Sequence, residues 1–484
     1  MKTVGMPHQQ TGLVRMDGKR NFALFMEQGT GKTWVGLADA ERYYLRGKIN
    51  ALFVVAPKGV HTNWVRREIP KHLEVPHVCY AWSAKKTKKE QVLRNAIYRR
   101  YAEDDITPLR VLAMNYDAFN SKEGFEFARK FVETFDVMMD LDESSRIKNS
   151  KSKRTGKVII IGRQAVARRI LSGTPMTNFP PDLFSQFDFL KPGLLGTTSF
   201  RAYMAQYSVL VEEDSYLMKK IMERQTGKTV PQIVARDEFG QMQWRNLDKL
   251  KEMLAPHVYR VKKEDVLDLP PKVYRTIYFE LTAEQRRVYD RLAEEFVLEV
   301  NEEEMGFQKI ATLTKLQQIT SGYVNVETQP VLIDPENNPR MEALLELMED
   351  VQGQIIIWAK FKEELRQIEE VLKERGYNCR SYTGDTPTEQ REKNVDDFQA
   401  GLFDVFIGNA QAAGIGLTLT AAETAIFYSV NYDAELRWQA EDRCHRIGTK
   451  GTVTYWDLCG VDTVDEKIAA NLTSKADVAA YVLD

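Results

Sequence analysis

Residues that staple or chelate are scarce in this chain. Its four cysteines, Cys79, Cys379, Cys444 and Cys459, are scattered without metal-ligand spacing. That excludes a disulfide framework and fits a reducing compartment. The six histidines form no H-E-x-x-H pair, which excludes a zinc-peptidase helix. No apolar run reaches the roughly 18 residues a membrane-crossing helix needs, and the N-terminus has no signal-peptide core. A soluble intracellular protein is the expectation. Net charge is only −2, so nucleic-acid binding would have to come from local basic patches. Hydrophobic residues at 43% and charged residues at 28% of the 484 positions allow real cores, in about two to four domains.

The informative stretch begins at residue 26. Met26-Glu27-Gln28-Gly29-Thr30-Gly31-Lys32-Thr33 follows an apolar run over 22–26 that reads as a buried strand. It leads into helical spacing at Trp34, Val35, Leu37, Ala38 and Tyr44. Strand, glycine-bearing loop, Lys-Thr and helix make a phosphate cradle, with backbone N–H groups and the helix N-terminus facing an anion. Lys32 then sits on the β/γ phosphates and Thr33 ligates magnesium. The strict pattern asks for glycine where Met26 stands, and a glycine turn capping a helix is the plainer alternative. Upstream, the amide of Gln9 could read an adenine edge or be a solvated glutamine.

Strand-like runs at 51–56, 110–116 and 135–141 alternate with helical segments. This predicts a parallel, helix-covered sheet with ligands at the carboxyl ends of its strands. Asp142-Glu143 closes the last of these runs, 110 residues after Lys32. One carboxylate can hold magnesium and its neighbour can deprotonate the attacking water. From Arg146 to Arg169 nine basic residues occur without an acidic one, which suits a phosphate-backbone surface. Within that run 158–161 is strand-like by propensity, yet the segment as a whole also suits a helix. Ser172-Gly173-Thr174-Pro175 fits a tight loop beside a nucleotide, and Pro270-Pro271 a stiff boundary. Further on, Gln439, Arg443 and Arg446 would share one face of a helix.

In this order the segments resemble the Swi/Snf-related ATPases of helicase superfamily two, especially compact bacterial and phage-type members. MEQGTGKT, VVAPKGVHTNWVRRE, LDESSRIKN and LSGTPMTN stand where that family has motifs I, Ia, II and III. Lys360-Phe361, the segment from Gln411 to Thr418 and the segment from Gln439 to Gly448 match motifs IV, V and VI. The resemblance implies an α/β P-loop NTPase of two RecA-like parallel-sheet lobes with helical protrusions. Lobe 1 would span 1–200, its protrusion 201–260, a linker 261–275, a second protrusion 276–339 and lobe 2 340–484.

It further implies ATP and Mg2+ as cofactors, with Lys32, Asp142, Glu143, Arg443 and Arg446 catalytic. Gln9, Gln28, Gly29, Thr30, Gly31, Lys32, Thr33 and Gly416 would bind the nucleotide, and Thr33 and Asp142 the metal. The track would be double-stranded or branched DNA, contacted by Lys58, Trp64, Lys148, Lys360 and Gln411. A monomer is expected, away from membranes, in the cytoplasm of a bacterial or phage-infected cell, with any targeting supplied by a protein partner. The implied activity is a DNA-dependent ATPase translocating on duplex DNA. Alternatives are a strand-separating or branch-migrating helicase and a weakly hydrolysing ATP-gated clamp. Ser145 stands where the family usually has histidine, which implies looser coupling between DNA binding and hydrolysis.

Overall fold

Apolar runs too short for helices become the strands of two parallel sheets. The computed structural model describes residues 1–102, 106–176, 180–209, 234–235, 242–299, 305–326, 329–334, 336–384, 386–411 and 417–483. Its chain divides into two units, Met1–Leu267 with Lys475–Asp484, and Asp268–Ser474.

The first unit holds β1 (Asn21–Met26), β2 (Ala51–Ala56), β3 (His77–Ala81), β4 (Leu109–Asn115), β5 (Val137–Asp142), β6 (Ala167–Leu171) and β7 (Val258–Val261). They lie in the order β3-β4-β2-β5-β6-β1-β7, every pairing parallel. Helices cover both faces, so β2 and β5 are buried at every position and read as continuous rather than alternating runs. Phe25, Phe53, Met139 and Phe187 pack on one face, and Leu24, Val54, Met138, Leu37 and Trp64 on the other.

The second unit carries β8 (Lys272–Phe279), the antiparallel hairpin β9 (Tyr323–Val326) and β10 (Gln329–Leu332), then β11 (Ile355–Trp358), β12 (Cys379–Tyr382), β13 (Val405–Gly408), β14 (Thr424–Phe427) and β15 (Val453–Gly460). Its parallel sheet runs β12-β13-β11-β14-β15-β8. Helices Ala283–Glu299 and Met305–Thr320 precede the hairpin. Among the described residues no helix is long and apolar enough to cross a membrane.

One open reading is decided and two expectations change. Residues 158–161 lie inside the helix Lys153–Gly162, because Val158, Ile159 and Ile161 present an apolar stripe to the core at helical spacing. Val258–Val261, assigned by sequence to the protrusion and linker, pairs with β1 as the edge of the first sheet. The basic run is partly internal. Arg169 is 0% exposed and bonds Asp39 at 2.7 Å, because an arginine inside a sheet needs a carboxylate beside it. Arg168 is buried as well, Arg154 pairs with Asp117 and Lys157 donates to Phe119 O. Arg146, Lys151 and Lys153 remain exposed.

Candidate active site

The loop after β1 is shaped by two glycines with left-handed backbone, Gly29 (φ 87°) and Gly31 (φ 86°). Gly31 caps the helix Lys32–Leu45. The dihedral favours glycine, and a Cβ there, 1.9 Å from Gln9 Nε2, would displace the Gln9 amide. Gln9 is 6% exposed and its amide is committed. Its Oε1 accepts from Met6 N–H at 2.8 Å and its Nε2 donates to Thr30 O at 3.2 Å. His8 also bonds Thr30 O, at 2.8 Å. The stretch upstream of the loop thus braces its backbone, a role that spacing alone did not reveal.

Lys32 opens the helix with its side chain 11% exposed, and its ammonium donates to Glu143 Oε1 at 2.9 Å. Glu143 follows β5 in a left-handed conformation (φ 51°, ψ 59°), an uncommon backbone for a non-glycine residue that often marks a functional position. The neighbouring Asp142 is held at both oxygens. Oδ1 accepts from Glu143 N–H at 3.1 Å and Oδ2 from the indole N–H of Trp64 at 2.8 Å. Tyr116 donates to the Asp142 carbonyl at 2.8 Å. Burial pushes the Asp142 carboxyl above its usual range, Lys32 pulls it down and Glu143 raises it again. Lys32, Asp142, Glu143 and the glycine loop are therefore brought together, with Thr33 on the first turn of the same helix.

The loop after β6 closes on this cluster. A Cβ at Gly173 would lie 3.1 Å from Gln28 N and 3.3 Å from Met26 O, so any side chain there would press the phosphate-loop backbone outward by a few tenths of an ångström. Gln186, 0% exposed, ties that loop to the acidic one. Its Oε1 accepts from Ser144 Oγ at 2.6 Å and its Nε2 donates to Pro175 O at 2.6 Å. Sequence reasoning missed Gln186; its signal was one amide on the apolar helix Pro181–Leu190. Ser145 is 1% exposed, so an imidazole at that position would have to displace its neighbours.

Asp140, two residues before Asp142 on the same strand, is 0% exposed, and neither of its oxygens has a hydrogen-bond partner. Burial pushes its carboxyl up to about 8, against the pull of Arg169, while Asp39 and Asp142 add to the rise. Its folded pKa lies above the unfolded value of 3.8. The folded chain therefore holds a proton the unfolded chain has lost, and stability falls as pH rises from about 4 to about 8. The cost is on the order of 4 kcal/mol at pH 7 at one pKa unit per 1.36 kcal/mol. Asp140→Asn should flatten the upper part of that slope, read from denaturation midpoints at several pH values.

Of the expected DNA contacts, Lys58 and Gln411 are exposed and Lys148 half-buried. Trp64 is a correction: at 1% exposure it lies in the core against Asp142 and has no face for DNA. Lys360 is half-buried and donates to Gln317 Oε1. Burial lowers its pKa. Asn409 braces the loop, donating to Lys360 O at 2.6 Å and accepting from Gln411 N–H at 2.8 Å.

The helix Ala434–Cys444 carries Gln439 and Arg443, 5% and 4% exposed. It ends before Arg446, because His445 leaves helical geometry (φ −101°, ψ 85°). Arg446 is thus not the third residue of one helical face, as its spacing suggested. Its backbone N–H donates to Thr449 Oγ1 at 3.1 Å. Gly416 lies outside the described residues.

The chain matches the SNF2-related domain over residues 8–326 and the helicase conserved C-terminal domain over 339–448. It is 24% identical over 538 residues to the human DNA repair and recombination protein RAD54B, covering 99% of this chain and 55% of that protein. An uncharacterized ATP-dependent helicase of Mycoplasma genitalium is 25% identical over 463 residues, covering 94% of this chain and 40% of the relative. The chain thus spans about half the length of these curated relatives. A solved SWI2/SNF2 ATPase core of Sulfolobus solfataricus in complex with dsDNA aligns over 99% of this chain and 92% of that one, at 22% identity and a TM-score of 0.40. With the SNF2-related domain matched across more than half of its residues and the helicase C-terminal domain following it, the chain belongs to the SNF2-related family.

Proposed function

We propose that the chain is an ATP-dependent motor that translocates on double-stranded DNA and thereby remodels DNA or the proteins bound to it. The observation that carries this is the cluster of Lys32, Asp142 and Glu143 at the carboxyl ends of β1 and β5, beside a glycine-capped helix N-terminus. Such a helix end favours phosphate.

The donor set suits Mg2+. Two adjacent carboxylates share the site with the Lys32 ammonium, and Glu143 Oε2 has no hydrogen-bond partner. Among the described residues no three His, Cys, Asp or Glu side chains form a metal cluster, and magnesium bound through one or two carboxylates and phosphate oxygens needs none. Thr33 and Asp142 would hold the ion, which supplies neutralisation of phosphate charge.

With Lys32 on Glu143, the base is neutralised. A triphosphate competing for the ammonium releases Glu143, whose carboxylate then accepts a proton from the attacking water. Arg443 and Arg446 supply the arginine finger. Family membership and a relative named for DNA repair support DNA as the track. Lys58, Lys148, Lys360 and Gln411 would contact phosphates, so sequence preference is weak.

The test is a pair of substrates. ATP-dependent displacement of a third strand from a blunt duplex, with a forked duplex left paired, is expected. Separation of the fork without triplex displacement would instead support the strand-separating reading.

A further inference from the structure

The indole of Trp64 is inside the core yet spends its single donor on the carboxylate beside the catalytic cluster. Asp142 Oδ1 is fixed locally, by the N–H of the next residue. Oδ2 is fixed by a group 78 residues earlier in the chain. Trp64 also opens a π-helical turn, Trp64–Glu68, a departure from α-geometry that tends to occur at functional positions. That turn follows Gly59, whose φ of 89° sets the direction of the segment after exposed Lys58. A buried indole N–H needs an acceptor, and the acceptor it meets here is the carboxylate beside the Lys32–Glu143 pair. A carboxylate free to rotate about its Cβ–Cγ bond would offer a metal either oxygen, at an angle set by chance.

We infer that Trp64 is a positioning residue, whose indole N–H sets the rotation of the Asp142 carboxylate so that one oxygen is presented to the metal. The inference rests on the proposed role of Asp142 in holding Mg2+. Removing an outer partner of a metal-ligating carboxylate commonly weakens metal binding by roughly 10- to 100-fold.

Trp64→Phe keeps an aromatic ring and deletes the donor. The full chain and this variant are titrated with Mn2+ in the presence of ADP, with free Mn2+ read by electron paramagnetic resonance. Metal-free ADP binding and thermal midpoint are recorded alongside. The expected result is Mn2+ binding weakened about tenfold, with metal-free ADP affinity retained. Trp64→His, an aromatic that keeps a ring N–H, should recover part of the loss, and Trp64→Leu, which also lacks a donor, replaces Trp64→Phe in the titration should that variant fail to fold. Superimposable Mn2+ curves would overturn the inference. So would equal losses of Mn2+ and metal-free ADP binding, since they mark a general collapse of the site. No DNA or turnover enters this experiment, so an inactive motor and a misassigned Trp64 give separate results.

Discussion

Glu143→Gln should reduce ATP turnover by roughly 10³-fold while leaving nucleotide binding intact or tighter. The amide has the shape of the carboxylate but cannot accept the proton of an attacking water. Two features of the site sharpen this expectation. The left-handed backbone at Glu143 (φ 51°) and the hydrogen bond from its N–H to Asp142 Oδ1 are main-chain properties, so the substitution keeps them. The 2.9 Å ion pair between Lys32 and Glu143 is lost as an ion pair, because only a neutral acceptor remains. Lys32 then meets a triphosphate without a competing carboxylate. A fluorescent ATP analogue should therefore bind the variant at least as tightly as wild type, even as steady-state turnover collapses. Parallel loss of binding and turnover would show that Glu143 builds the pocket rather than acting as its base.

Arg446→Ala should lower kcat by about 10³- to 10⁵-fold, the range for loss of an arginine finger, with little change in KM. Arg443→Ala should match it in turnover but differ in stability. Arg443 is 4% exposed on the helix Ala434–Cys444, so truncating it opens a void and strands its surroundings. Arg446 is half-buried and lies past the helix end. Its replacement should leave the thermal midpoint near the wild-type value. The two variants thus separate catalysis from folding: kcat falls in both, and the midpoint drops in Arg443→Ala.

The strands that carry the site were legible because parallel sheets bury both faces. β1 and β2 appear in sequence as short apolar runs ending at Glu27 and Pro57, and β5 as an apolar run interrupted by Asp140 and ending in Asp142. The glycine loop and the acidic pair were legible because phosphate chemistry fixes residue types over a few positions. What escaped depends on partners far apart in the chain. Nothing local in Arg168-Arg169 tells that Asp39 waits 130 residues earlier to bury one of them. Trp64 was placed among the DNA contacts because the family resemblance carried motif Ia over to it, and nothing local shows its burial. Its indole is turned inward by Asp142, an acid that itself needs a donor. Asp140 and Gln186 left a fainter trace in the sequence, a single polar residue where the periodicity asks for an apolar one. Arg446 was misplaced by extending a helix that His445 ends.

The central claim, that ATP is hydrolysed by these residues in answer to duplex DNA, is tested most directly by ATP turnover of the full chain. Turnover would be compared without nucleic acid and with single strand, blunt duplex, fork and RNA, for wild type and Arg446→Ala. The expected result is a severalfold rise with blunt duplex that weakens as salt increases and is absent in Arg446→Ala. A rate indifferent to duplex DNA, or one that survives intact in Arg446→Ala, would contradict it.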